Sequence, residues 1–174
     1  MKSISNPRHL ANLVERLGRL RPDTPRRWGT LTSAEMLCHL GDASASVMAR
    51  GSSESVMPDA SAAEATPDSS TSVSTPGSGD ARRRPLFKWI ALSSPLAWPH
   101  GLKTPAWVDP RADGTRPADF EQDRLRAIRG LQALAKAPAG TLAASHGVFG
   151  PMTVKDWHRW AYRHTNHHLS QFGL

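Results

Sequence analysis

The C-terminal part of the chain contains the strongest chemical signal, three histidines within the run His164-Thr165-Asn166-His167-His168. An α-helix turns by about 100° per residue, so His164 and His168 lie one above the other on one helix face. This spacing allows a single helix to present two imidazoles to one divalent metal ion. Four neighbours share that face and direct it toward the interior: Trp157, Trp160, Ala161 and Gln171.

An inward-facing imidazole needs a partner for its unprotonated nitrogen, and an apolar wall offers none. A metal ion would satisfy both rings, and the alternative is hydrogen bonding to side chains or water. A catalytic site usually takes a third protein ligand, for which His39 is the best candidate, near the middle of another predicted helix. Glu35 and Asp42 flank it at i−4 and i+3, where either could orient the imidazole, relay a proton or add a ligand.

The other potentially reactive side chains are weaker candidates. His167 lies off the face of the predicted pair and is assigned to the rim of the site, while His146 precedes a loop that could reach a pocket mouth. Cys38 adjoins His39 in sequence, but adjacent helical residues do not face each other, which argues against a Cys–His nucleophile. The sequence contains no Gly-x-Ser-x-Gly elbow and no phosphate-binding glycine loop.

Four amphipathic helices are predicted to position these histidines. The first begins at Asn6-Pro7, an N-cap followed by proline at the first helical position. The second begins at Thr32, which has the capping-box spacing to Glu35. The third spans about 118–136, and the fourth follows Thr153 and runs almost to the C-terminus. No segment alternates as a strand does, so the predicted fold class is all-α.

Two segments interrupt this pattern between the second and third helices. Residues 49–82 are mainly Ser, Ala, Gly, Pro and Thr and contain no aromatic residue. Such a composition cannot bury enough apolar area to offset the entropy of ordering, which predicts a disordered insertion in one domain spanning 1–174. Residues 85–117, rich in Pro and Trp, are expected to form either a short helix or an irregular lid over one end of the helices.

Composition bounds the location and the partners of the protein. Cys38 is the only cysteine, which excludes an internal disulfide and favours a reducing compartment. The N-terminus contains no signal-peptide core, and no apolar run approaches the roughly 18 residues that span a bilayer, so a cytoplasmic protein without a membrane partner is expected. The net charge of +7 comes from scattered arginines, which disfavours nucleic acid as a partner.

Four segments of the chain resemble parts of one known superfamily, and they occur along the chain in the order that this superfamily shows. Residues 32–42, TSAEMLCHLGD, are similar to the second helix of the DinB/YfiT-like superfamily, and residues 164–171 resemble its last helix, with the pattern His-x-x-His-His-x-x-Gln. Residues 26–29, RRWG, and 146–157, HGVFGPMTVKDW, resemble an uncharacterised branch of that superfamily. Gly147 departs from the branch, in which proline is expected at this position.

The resemblance implies a four-helix bundle with a long connector between helices two and three and a tendency to form homodimers. It places the ligands of one divalent ion on His39, His164 and His168, with zinc or nickel as the metal. Three imidazoles also accept iron, cobalt or copper. Characterised relatives include thiol-dependent transferases and isomerases, and others are described as metal-dependent hydrolases.

The leading hypothesis is therefore a metal-dependent hydrolase or thiol-dependent transferase. Its partner would be a small-molecule substrate, including a low-molecular-weight thiol. The alternatives are a non-catalytic helical-bundle binding module and a basic nucleic-acid-associated protein.

Overall fold

The computed structural model of the chain describes residues 1–53, 80–94, 96–101 and 104–174. Within these ranges the chain is mostly helical, which confirms the predicted dominance of α-structure. The elements follow in this order: α1 Pro7–Arg19, α2 Ser33–Ser53, α3 Asp80–Ser93, a 3₁₀ turn Ala106–Val108, α4 Phe120–Lys136, the antiparallel pair β1 Ser145–His146 and β2 Gly150–Pro151, and α5 Val154–Gln171. None of the described helices is long and apolar enough to cross a membrane.

The helix starts are fixed by local side-chain caps. Asn6 accepts a hydrogen bond from a backbone N–H in the first turn of α1, which carries proline at its start. Thr32 and Glu35 bond each other's backbone N–H groups at the start of α2, and Thr153 and Asp156 do the same at the start of α5. The caps therefore determine where the histidine-bearing helices begin.

Most of the buried core lies between α1, α2, α4 and α5, and α3, the 3₁₀ turn and the loop before α5 add a few residues: Leu92, Val108, Leu142, Ala143 and Phe149. The most extensive helix–helix contact joins α2 to α4, and α5 contacts each of the other four described helices. The side chains that are almost completely buried are mainly leucines and a methionine from the core-facing sides of these helices: Leu13, Leu17, Met36, Leu37, Leu134 and Leu169. The inner face of α5 is therefore enclosed by protein, where an imidazole is shielded from water.

The boundaries predicted for the insertion differ from the observed helix ends. α2 continues past Met48 to Ser53, and α3 begins at Asp80. Extending an existing helix fixes one residue per added hydrogen bond, so the packed part of α2 can continue into a sequence of weak intrinsic preference. The rest of the predicted insertion, 54–79, lies outside the described residues.

The described part of residues 85–117 contains both a helical and an irregular stretch. Its first part is the end of α3, and an irregular stretch follows in which the Trp98 indole donates to the Ala91 carbonyl at 2.7 Å. The 3₁₀ turn then brings Val108 against α2. This turn places a backbone carbonyl beside His39.

Candidate metal centre

The three histidines predicted as metal ligands lie together between α2 and α5. His164 Nε2 is 3.0 Å from Nε2 of His39 and 3.2 Å from Nε2 of His168. The three ligand atoms all lie within 4.8 Å of one another. His39 and His168 are buried, whereas His164 is partly accessible. Helical spacing on α5 and the contact of α5 with α2 thus bring together residues that are 125 positions apart in sequence.

Hydrogen bonds on the far side of two rings fix their tautomers. His39 Nδ1 lies 2.8 Å from the Val108 carbonyl oxygen, and His168 Nδ1 lies 3.0 Å from Gln171 Oε1. Each oxygen can only accept, so both Nδ1 atoms are the protonated donors. Both Nε2 atoms therefore carry lone pairs that point at His164.

This arrangement suits a cation better than it suits protons. If the His164 proton is on Nε2, it can be shared between the two facing lone pairs, but only one proton serves both of them. If that proton is on Nδ1, three lone pairs converge without a donor. Nitrogen ligands about 2.0–2.1 Å from a tetrahedral zinc ion are about 3.3–3.4 Å apart, close to the 3.0 and 3.2 Å observed here. The donor set therefore fits a divalent metal.

Burial keeps the cluster in the neutral form that metals bind. Desolvation lowers the pKa of His39, and it outweighs the Val108 carbonyl and the nearby carboxylates, which raise that pKa. Desolvation, together with the positive charge that neighbouring imidazoles would carry, lowers the pKa values of His164 and His168 well below the usual value. An imidazole must be unprotonated to bind a metal ion. At neutral pH all three rings meet this condition.

Aromatic rings enclose the cluster on the α5 side. Trp160 stacks on His164, with ring centroids 4.6 Å apart and planes inclined by 17°. The Trp98 ring lies 6.3 Å from that of His164, and His167 makes an edge contact with His168 at 5.4 Å. These rings limit access of water and lower the local dielectric, which strengthens electrostatic interactions at the cluster.

Two further groups orient the cluster, and only one of them has a signal in the sequence. Val108 acts through its backbone carbonyl, which every residue type possesses. Gln171 was placed on the inward face of α5 but without a role, although its i+3 spacing from His168 is a usable signal. Gly29 approaches this amide so closely that an added Cβ would lie 2.9 Å from Gln171 Nε2, and its φ is +83°. The segment containing Gly29 therefore supports the His168 partner.

Glu35 does not fix the His39 tautomer, contrary to one role considered for it, because Val108 occupies Nδ1. The carboxylate instead accepts two hydrogen bonds from Arg111, at 2.8 and 2.7 Å. Arg111 also donates to the Thr30 carbonyl at 2.6 Å. Glu35 therefore fastens the chain just beyond Val108 to the start of α2.

Asp42, the other carboxylate considered as a partner of His39, is also committed elsewhere. It accepts from the backbone N–H and the hydroxyl of Thr115, at 2.7 and 2.8 Å, and from Arg126 at 2.7 Å. Glu35 and Asp42 thus hold both ends of the 111–115 segment against α2. Both carboxylates hold the segment that follows Val108, Asp42 also raises the pKa of His39 through its charge, and neither carboxylate belongs to the histidine cluster.

The Glu35–Arg111 pair gives a testable pH dependence. Its hydrogen bonds lower the pKa of Glu35 to about 2 from a value of 4.5. Because the folded-state pKa is the lower one, the stabilisation is complete above about pH 4.5 and is lost as the pH falls toward 2. Glu35→Gln is expected to lower the unfolding temperature at pH 7 by about 2–4 °C, the effect of about 1 kcal/mol in a domain of this size.

Circular dichroism melting of the wild type and Glu35→Gln from pH 7 to pH 3 measures this effect. The difference in unfolding temperature between the wild type and Glu35→Gln should become smaller below pH 4.5. The matched control is Glu121→Gln. It removes the i,i+3 ion pair between Glu121 and Arg124, in which the Glu121 side chain is 64% exposed. A gap that stays constant with pH would contradict the ion-pair explanation.

The remaining histidines lie outside the cluster. Burial, followed by the charges of His100 and Arg163, lowers the pKa of His167 to about 4. Its contact with His168 agrees with its predicted position at the rim. The His146 ring packs against Phe149 at 4.6 Å and lies 5.8 Å from the Trp160 ring. His146 therefore lines the aromatic layer behind the site.

No protein-family model, curated protein or solved structure matches this chain. The resemblance to the DinB/YfiT-like superfamily consequently stays a prediction from the motifs themselves. The chemistry of the site is therefore inferred from its geometry.

Proposed function

We propose that this chain is a DinB-like four-helix-bundle protein that binds one divalent ion, zinc or nickel, and acts as a metal-dependent enzyme. The ligands are Nε2 of His39, His164 and His168. One observation supports this most directly: two lone pairs fixed by outer hydrogen bonds converge on a third imidazole at 3.0 and 3.2 Å. Metal-binding histidines commonly have such an oxygen partner on the second ring nitrogen.

The helix contacts support the bundle assignment. Most of the core comes from α1, α2, α4 and α5, which correspond to the four helices predicted from the sequence. α3 contacts α5 and adds Leu92 to the core, while most of its other large apolar residues are exposed. The proposed ligands come from the second and the last of these four helices, as the resemblance implies.

The number of ligands supports catalysis over a purely structural role. Among the described residues the cluster contains three possible ligand side chains, all histidines. Structural zinc sites are usually closed by four protein ligands, whereas catalytic sites leave a position for water or substrate. A divalent ion at such a site supplies Lewis-acid activation of a water, thiol or carbonyl group. This chemistry suits both a hydrolase and a thiol-dependent transferase.

The residues of the chain have separate tasks in this proposal. Val108 and Gln171 hold His39 and His168 in the tautomers that direct Nε2 inward. Trp160 covers one face of His164 and limits access of bulk water. The substrate must therefore approach the centre from the accessible side of His164.

Metal content tests the proposal directly. Tag-free wild-type protein, incubated with zinc or with nickel and then desalted, should retain about one ion per chain by elemental mass spectrometry. His39→Ala and His164→Ala should each retain none, because two imidazoles make a much weaker site. His9→Ala, on α1 and outside the cluster, is the control and should bind like the wild type.

Circular dichroism of each variant separates loss of ligands from loss of fold. A folded wild-type protein that binds neither ion would refute the centre, and with it the enzyme hypothesis. If the ion is bound, the loaded protein should be screened against ester and amide substrates and in thiol-transfer assays. Activity that follows the ion and disappears in His164→Ala would support the catalytic role over the non-catalytic alternative.

A further inference from the structure

A cavity of about 550 Å³ lies beside the histidine cluster, against the neighbouring face of α5. The N-terminal residues, the end of α3 and the stretch 96–100 form its other walls. Six of its lining residues carry the argument: Lys2, Trp28, Trp98, His100, Arg163 and His167. Its volume is within the range of small-molecule sites.

Only one layer of rings separates this cavity from the proposed metal centre. His167 lines the cavity, and its ring centroid is 5.4 Å from that of His168. Trp98 also lines the cavity, and its ring is 6.3 Å from that of His164. A molecule held in the cavity would therefore lie next to the ligands of the centre.

The walls of the cavity are built from flat rings. Trp28 stacks on His100, with centroids 3.8 Å apart and planes inclined by 11°, and it meets the edge of His167 at 4.9 Å. The Trp98 ring lies 5.9 Å from that of His167. Aromatic walls favour planar ligands, because offset stacking and edge contacts add to the burial of apolar area.

The charge of the lining is positive and is not balanced by acids. Lys2 and Arg163 line the cavity, and no aspartate or glutamate is among the described lining residues. The Arg163 guanidinium donates to the carbonyls of Ser94 and Leu96, which are neutral acceptors. Asn166 also lines the cavity, and because its side-chain oxygen accepts from Arg16 at 2.9 Å, its NH₂ group is left as a donor. Cations and donors of this kind select an anionic ligand.

We propose that this cavity binds an organic anion carrying a planar aromatic ring. Its aromatic part lies among the tryptophan and histidine rings, and its carboxylate or phosphate lies toward Lys2 and Arg163. The rings of His167 and Trp98 stand between the cavity and the proposed centre, and His39, His164 and His168 are not among the described lining residues, so the proposal concerns binding of the anion and does not rest on the ion. Binding itself requires only the cavity.

Isothermal titration calorimetry on tag-free, zinc-incubated protein tests this assignment with three probes of one shape: 2-naphthoate, 2-naphthyl phosphate and the neutral 2-naphthalenemethanol. At least one anion should bind about tenfold or more tightly than the alcohol, a difference of about 1.4 kcal/mol. The better of the two anions identifies the charged group. Arg163→Gln should reduce the preference for the anion, and Arg163→Lys should preserve it.

A steric variant makes the test independent of the arginine. Ser170 lines the cavity on α5, and Ser170→Phe should abolish binding of the probes. Ala133→Phe adds the same ring to an exposed position on α4 and should leave binding unchanged. Equal affinity for the alcohol and both anions, binding that survives Ser170→Phe, or no binding to folded protein would each overturn the proposal.

Zinc content measured on the same samples separates this proposal from the metal centre. Protein that holds zinc but binds no anion overturns the cavity assignment alone. Protein that binds the anion but holds no zinc supports the cavity and refutes the centre.

Discussion

Zinc is expected to raise the unfolding temperature of the wild-type chain by about 8–16 °C when the concentration of free zinc is about a thousand times its dissociation constant. A ligand that binds only the folded state then contributes about 4 kcal/mol. A domain of this size gains about 2–4 °C for each kcal/mol. Adding zinc should leave the unfolding temperature of His168→Leu unchanged, because that variant lacks one of the three converging nitrogens. Thermal melts by circular dichroism, with and without the ion, measure the difference.

Reversal by a chelator and a matched variant complete this test. Excess EDTA should return the wild-type protein to its ion-free unfolding temperature. His9→Ala should show the full shift, since His9 is not part of the cluster. A shift of wild-type size in His168→Leu would assign the stabilisation to another site and remove the support for the triad.

Gly29→Ala is expected to weaken zinc binding by about 10–100-fold, the usual effect of disturbing a group that orients a metal ligand. A Cβ at Gly29 would lie 2.9 Å from Gln171 Nε2, and the φ of +83° is itself costly for alanine. The Gln171 amide must then move, and its oxygen is the partner that fixes the His168 ring at 3.0 Å. Competition with a chromogenic chelator measures the affinity.

The chain contains a control for the backbone part of this effect. Gly140 has a φ of +90°, but no atom lies within 4 Å of the position its Cβ would take. Gly140→Ala should therefore lower stability through backbone strain alone and leave zinc affinity at the wild-type value. Equal zinc affinities in the two alanine variants would show that Gly29 does not act through Gln171.

The sequence predicts the histidine cluster because two of its members follow from helical spacing, while His39 was named as the third ligand from its place on a second predicted helix and from the resemblance. The i, i+4 spacing of His164 and His168 depends only on the helix, and their aromatic neighbours indicate which way the pair faces. The capping residues of α2 and α5 likewise fix where those helices begin. Such features are local, so they are readable before the tertiary contacts are known.

α3 is not predicted as a definite helix because most of its large apolar residues are exposed, with Leu92 the buried exception. Leu86, Phe87, Trp89 and Ile90 are all exposed. Lys88 instead points toward the protein, pairing with Asp156 at 3.2 Å. These residues form no apolar stripe that faces the core, and such a stripe is the pattern that predicts an amphipathic helix.

The partners of Glu35 and Asp42 were not predictable for a different reason. Both bind the stretch between the 3₁₀ turn and α4, which has no periodicity from which its path could be inferred. The Val108 carbonyl is supplied by that same stretch, and a backbone group carries no signature in the residue type. These contacts depend on the course of a loop, which only the tertiary structure reveals.

Because His39 and His164 are 125 positions apart, a metal ion held by both would cross-link the chain and close a very long loop. The entropy of closing such a loop grows only with the logarithm of its length. Removing half of the residues in 54–79 would change that closure free energy by only about 0.1 kcal/mol. As far as chain entropy is concerned, the length of the insertion can therefore vary between related chains. The free energy of bringing the three histidine nitrogens together would stay almost the same.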